Sequence, residues 1–109
     1  MTAITMICDK NDQQIKGFQI HGHAGAGKAG EDVVCAAVSV LAINTQNAIE
    51  RLCQDAFSQS QDQKRGFMEF ILKDRPGHDA ALLLEAARIG FEEIAKEYEK
   101  FVSMNYKEV

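Results

Sequence analysis

The chain has 109 residues, a net charge of −4, 46% apolar and 26% charged residues. That is the length of one domain with a single core, and its ordinary composition excludes a disordered, fibrous or disulfide-scaffold class. The acidic balance argues against a broad electrostatic hold on nucleic acid, and Lys64-Arg65 is the only adjacent basic pair.

The N-terminal segment MTAITMICDK has neither a basic leader nor a long apolar stretch, so no secretion signal is expected. No run of 18 charge-free apolar residues is evident, and no membrane span is expected. The three cysteines, Cys8, Cys35 and Cys53, form no CxxC pair. An odd count without a leader points to a reducing compartment, hence a cytoplasmic location.

Ala3–Cys8 is short and rich in β-branched residues, and Asp9-Lys10-Asn11-Asp12 closes it as a turn. Ile15–His21 alternates, so the two form a first hairpin. Residues 22–30 hold four glycines and read as a loop. Asp32 then opens a long apolar run as an N-cap, and Val34, Val38, Leu41, Ala48 and Leu52 keep helical spacing. Because the first half of this helix is apolar nearly all round, burial on more than one side is expected.

Ala56–Ser58 is a weak strand candidate, and Gln59–Gly66 is polar and turn-like. Phe67–Lys73 is a stronger strand, ended by Asp74-Arg75-Pro76-Gly77. From Asp79 to about Met104 the pattern is helical, with Leu83, Ala87, Ile94, Tyr98 and Phe101 or Val102 as the buried stripe. The whole reads as one α/β domain of the α+β kind over residues 1–109. It is a small antiparallel sheet of about four strands packed with two helices, in the order β-β-α-β-β-α. Should Met6, Phe67 or Phe70 point away from the helices, a dimer would cover that second sheet face.

The glycine loop fits two nucleotide motifs in part. Gly22 to Lys28 matches the first seven positions of a P-loop, but Ala29 stands where Ser or Thr must hold magnesium. Gly25-Ala-Gly27-Lys-Ala-Gly30 matches GxGxxG, yet the acidic residue that should follow a second strand would be Glu50, inside the helix. A metal site from His21, His23 and Cys35 has no standard spacing. No cofactor and no metal are expected. Cys8 and Cys53 read as structural, and His21 and His78 as surface or cap residues.

His23 at a strand end and Cys35 near a helix start flank the loop, twelve residues apart. With Asp32 as N-cap, Cys35 falls at the third helical position, near unpaired N–H groups and the positive end of the dipole, where a thiolate is favoured. Those N–H groups are also candidate oxyanion donors. Either core filler or a nucleophile served by His23 accounts for Cys35 on these grounds.

Gly22-His23-Ala24, the glycine-rich stretch, and Asp32-Val-Val-Cys35-Ala-Ala-Val-Ser39 together resemble the signature of the ribosomal-processing cysteine protease (Prp) family. The order of elements and the ending, with Tyr98-Glu99 and Asn105-Tyr106-Lys107, are similar as well. The resemblance implies a cytoplasmic homodimer that removes the N-terminal extension of the twenty-seventh large-subunit ribosomal protein. It places the nucleophile at Cys35 and the histidine base at His23, with Gly22, Asp32 and Ser39 in support. Asp32 has two readings, helix cap or orienter of His23. Ser39, one turn after Cys35, either lines the cleft or packs there. The loop from Ala24 to Glu31 is expected to order over the peptide. The alternative is a non-catalytic ribosome-associated binding module.

Overall fold

The computed structural model describes residues 1–22 and 29–109, with side chains over 1–22 and 33–109. Strands β1 (Thr2–Cys8) and β2 (Ile15–His21) are followed by helix α1 (Ala29–Leu52). Strands β3 (Phe57–Asp62) and β4 (Phe67–Leu72), helix α2 (His78–Glu97) and strand β5 (Val102–Glu108) complete the chain.

The first hairpin forms as its sequence requires. β1 and β2 pair antiparallel from Ala3 opposite His21 to Cys8 opposite Ile15. In the turn between them the Asp9 carboxylate accepts the Asn11 N–H at 2.7 Å, the local bond that makes aspartate a turn former. The sheet runs β3-β4-β2-β1-β5, and all pairs are antiparallel except β1 with β5, which is parallel.

Two corrections to the expected architecture follow. The sheet has five strands, because the second helix stops at Glu97 and the chain re-enters the sheet at Val102. No glycine or proline marks that stop. Tyr98 leaves helical geometry at φ −118°, ψ 45°, and Thr2 donates its N–H to the Phe101 carbonyl at 2.8 Å. β5 is legible only in its alternation, Val102, Met104 and Tyr106 against Ser103, Asn105 and Lys107. The third strand, in turn, runs through the polar segment Phe57–Asp62. Its six-residue register with β4 overrides weak strand propensity, and Asp62 accepts the Lys64 and Arg65 N–H groups at 3.1 and 3.2 Å to shape the turn.

Both helices cover one face of the sheet. Ile4, Met6, Phe18, Ile20, Phe70 and Leu72 meet Val34, Val38, Ala42 and Ile49 of α1 and Ala80, Leu84, Ala87 and Phe91 of α2. The α2 stripe is offset from the expected one, sharing only Ala87 as a fully buried position, with Leu83 and Ile94 at its margin. Phe18 sits at the centre, 5.7 Å from the rings of both Phe70 and Phe91. Each such buried side chain contributes about 2–3 kcal/mol. On β2, a Cβ at Gly17 would lie 2.1 Å from the Phe70 carbonyl, so glycine there permits the β2–β4 pairing. Outside the core, Arg88 bridges Glu85 and Glu92 at 2.6 and 2.7 Å, and the Tyr106 hydroxyl donates to Glu92 at 2.6 Å, fastening β5 to α2.

Helix α1 departs from expectation in its burial. It buries one stripe only: Val33 and Val40 are 67% and 68% exposed, and Ala36, Ala37 and Ile43 are exposed beside them. By length and composition Val33–Leu52 is long and apolar enough to cross a membrane. A search for strictly apolar runs overlooks this, because Ser39, Asn44, Thr45 and Gln46 interrupt it. The stripe through Val34, Val38, Ala42 and Ile49 makes it the core helix of this domain.

Candidate active site

The mouth of the sheet at the β1–β2 end holds a cleft of about 310 Å³ between α1 and the β3–β4 hairpin. Thr2, Cys35, Ser39, Ile20, Gly22 and Met68 line it, with Gln61, Asp62 and Gln63 on the hairpin side. Cys35 lies on α1 one residue after the core contact Val34 and is 3% exposed. The Cys35 Sγ is 2.9 Å from Thr2 Oγ1.

Three of the five expected site residues therefore meet in one cleft: Gly22, Cys35 and Ser39. Ser39 is half-buried, four residues after Cys35 on the same helical face. His23 lies outside the described residues, as do the Gly25–Lys28 positions on which the nucleotide motifs rested. Asp32 lies within α1, and its side chain is likewise outside the description.

Gly22 has a physical reason to be glycine. Its φ is +131°, a conformation L side chains rarely adopt, and an added Cβ would lie 2.6 Å from the Met1 carbonyl and 2.7 Å from Thr2 Cα. Its N–H donates to the Gly66 carbonyl at 3.0 Å. The residue thus packs the end of β2 against the start of β1 and ties it to the β3–β4 turn.

The expected helix start is corrected. α1 begins at Ala29, so Asp32 is an interior residue and not the cap. Cys35 stands in the second turn, with its N–H inside the helical ladder. The unpaired N–H groups belong to the first four residues, roughly 5–9 Å away along the axis at 1.5 Å per residue. The dipole acts mainly within the first turn, so its help to the thiol is smaller than the expected start implied.

The other cysteines differ in character. Burial, reinforced by Glu108 and Glu85, pushes the Cys8 thiol above its ordinary range. Cys53 is also pushed up, by burial first and then by Asp55 and Asp79. Both stay protonated at neutral pH, which suits structural thiols. His21 is exposed at the end of β2, its ring 4.8 Å from Phe67, and His78 is exposed at the start of α2 beside Asp79. Among the described residues no group of three or more His, Cys, Asp or Glu is placed to hold a metal ion.

Thr2 and the β3 wall of the cleft were not singled out by sequence. Thr2 is one β-branched residue in a strand, and only the fold brings it to a cysteine 33 positions away.

The profile of the family described as cysteine protease Prp matches residues 1–103. The ribosomal processing cysteine protease Prp of Staphylococcus aureus (strain Mu50) is 29% identical over 105 residues, covering 95% of this chain and 99% of that protein. Among solved structures, SMU.848 from Streptococcus mutans superposes with a TM-score of 0.88 at 32% identity, covering 100% of this chain and 96% of the other. The essential ribosomal processing protease Prp from S. aureus, crystallised with a covalently linked product peptide, gives 0.86 at 25% identity, covering 98% and 100%. With the family model matching residues 1–103 and relatives of that name covered over nearly their whole length, the chain belongs to the cysteine protease Prp family and is a cysteine protease.

Proposed function

We propose that this protein is an endopeptidase that removes the N-terminal extension of the twenty-seventh large-subunit ribosomal protein in the cytoplasm, with Cys35 as nucleophile and His23 as acid and base. The observation that carries this reading is that Cys35 lines a cleft of about 310 Å³ together with Gly22 and Ser39. The names of the S. aureus relatives supply the ribosomal context, and a relative crystallised with a covalently linked product peptide supports a covalent route.

The Cys35 thiolate attacks the scissile carbonyl carbon, forming a C–S bond. As the C–N bond breaks, the His23 imidazolium gives its proton to the departing amine. His23, now neutral, takes a proton from water as the water oxygen attacks the thioester. The thiolate then leaves, and the imidazolium is restored. The sum is peptide plus water giving an acid and an amine. Ser39 lines the cleft one turn beyond the nucleophile, and Gly22 holds the strand end from which His23 follows. Asp32, which the helix start at Ala29 removes from the cap position, is assigned in this reading to the support of His23.

A synthetic peptide spanning the extension and the mature N-terminus tests the reading by mass spectrometry. A single scission at the junction is expected, abolished by prior alkylation of Cys35. Cleavage that survives complete Cys35 alkylation overturns the assignment.

The homodimer is also proposed, but on a different face from the one sequence suggested. Met6 and Phe70 point to the helices. The opposite sheet face carries Phe67, with its ring against His21, and Ile71 beside Thr5, Gln19, Glu69 and Ser60 in register, with Gln19 bonded to Glu69, so of Met6, Phe67 and Phe70 only Phe67 points away from the helices and the face is largely polar. The bare apolar surface is instead Val33, Ala36, Ala37 and Val40 on α1. Sedimentation velocity should place the protein at twice its 12.1 kDa chain mass, and Val40→Lys should shift it to one chain mass by burying a charge in an apolar contact. An unchanged dimer in Val40→Lys moves the interface elsewhere.

A further inference from the structure

The helix-facing row of β1 reads Thr2, Ile4, Met6 and Cys8, three of them core members and Thr2 the exception. Thr2 is 3% exposed. A buried hydroxyl at such a position costs free energy unless it has a partner, and valine would fill the same space without that cost. The partner is the Cys35 sulfur at 2.9 Å.

We propose that Thr2 is a positioning residue for the nucleophile, its hydroxyl holding the Cys35 side chain toward the cleft and donating a hydrogen bond to the sulfur in its thiolate form. The proposal rests on the reading of Cys35 as nucleophile. In the thiol form the S–H donates to Thr2 Oγ1. When the proton leaves, the threonine hydroxyl rotates and donates instead, a charge-assisted bond stronger than a neutral one. The thioester sulfur carries no charge, so the bond weakens on acylation and returns as deacylation releases the thiolate. It therefore favours the leaving sulfur in the second half of the reaction.

The site is built for this. The Thr2 N–H is fixed on the Phe101 carbonyl at 2.8 Å, and its backbone pairs with Val102. The missing Cβ of Gly22 admits the Met1–Thr2 backbone beside the cleft. A β-branched side chain has few χ1 choices to lose, so the hydroxyl is aimed at small entropic cost.

The test is the rate of Cys35 alkylation by iodoacetamide from pH 5 to 10, read by peptide mass spectrometry so that Cys8 and Cys53 are counted separately. Wild type, Thr2→Val, Thr2→Ala and Thr2→Ser are compared. Of the elements around the sulfur, the β3–β4 turn contributes Asp62 to the cleft, and Lys28, Glu31, Asp32 and His23 precede it in sequence; all are unchanged in these variants and common to every profile.

The midpoint should rise by about one pH unit in Thr2→Val and Thr2→Ala, the scale of one hydrogen bond to a charged group, and stay at the wild-type value in Thr2→Ser. Well below the midpoint the two hydroxyl-free variants should react about threefold more slowly, a roughly tenfold loss of thiolate offset about threefold by its higher nucleophilicity. On the alkaline plateau they should react about threefold faster, because a less stabilised thiolate is the better nucleophile. Crossing profiles are the signature that a packing defect does not produce. An unchanged midpoint in the hydroxyl-free variants overturns the proposal, whatever happens to peptide cleavage. Cleavage by Cys35→Ala separates the two failures: an inactive Cys35→Ala with an unmoved midpoint condemns only Thr2, whereas an active one condemns the nucleophile.

Discussion

Cys35→Ala is expected to lower kcat/KM on the junction peptide by at least about 10⁴-fold, the scale on which loss of a nucleophile is felt. The variant should remain folded. The removed sulfur lies at a cleft floor and not in a sealed core, so the lost contact costs about 1 kcal/mol and circular dichroism should be superimposable. His23→Ala should cost about 10²–10⁴-fold, the range for a general acid–base group. The double variant should be no worse than Cys35→Ala, because the two act as one unit. Turnover assays with the purified variants check all three statements. Cys35→Ala activity within tenfold of wild type would end the thiol mechanism.

Gly22→Ala is expected to lose both stability and activity. The new methyl must accept φ +131° and a site 2.6 Å from the Met1 carbonyl and 2.7 Å from Thr2 Cα, all backbone atoms that no rotamer change removes. Strain and overpacking each cost about 1–3 kcal/mol, so a loss of about 3 kcal/mol in urea unfolding is expected. The activity effect follows from geometry. The obstructed atoms belong to the strand end that carries Thr2 to the Cys35 sulfur, and the Gly22 N–H anchors the turn forming the far wall of the cleft. The folded fraction of Gly22→Ala should therefore be at least tenfold less active, a deficit that normalising for unfolded protein does not restore. A variant with wild-type unfolding midpoint and activity would show that β1 moves aside freely.

The expectations that held are those resting on local chemistry. Asp9 turns the first hairpin by bonding the next-but-one N–H, a contact any aspartate in that setting makes. Ile15–His21 alternates because one face is buried, and it is a strand with those bounds. Separately, Gly22, Cys35 and Ser39, singled out from short-range pattern and family resemblance, line one cleft, and the part each plays there belongs to the proposed function.

The departures share a cause. β3 is polar and gains its strand geometry from pairing with β4. β5 follows a helix without a stop signal and gains its conformation from a parallel neighbour 100 residues earlier. Asp32 looked like a cap because an apolar run begins after it, yet helices start where backbone geometry allows, and this one starts three residues sooner.

By itself, then, the sequence determined what depends on residues near one another: the hairpin, the helical stripes in outline, and the cysteine and histidine flanking a glycine loop. Tertiary structure alone decided the strand order, the parallel edge, which face of α1 stays bare, and the meeting of Thr2 with Cys35. Each of those is a pairing between distant segments, whose energy comes from hydrogen bonds and burial that exist only once both partners are in place.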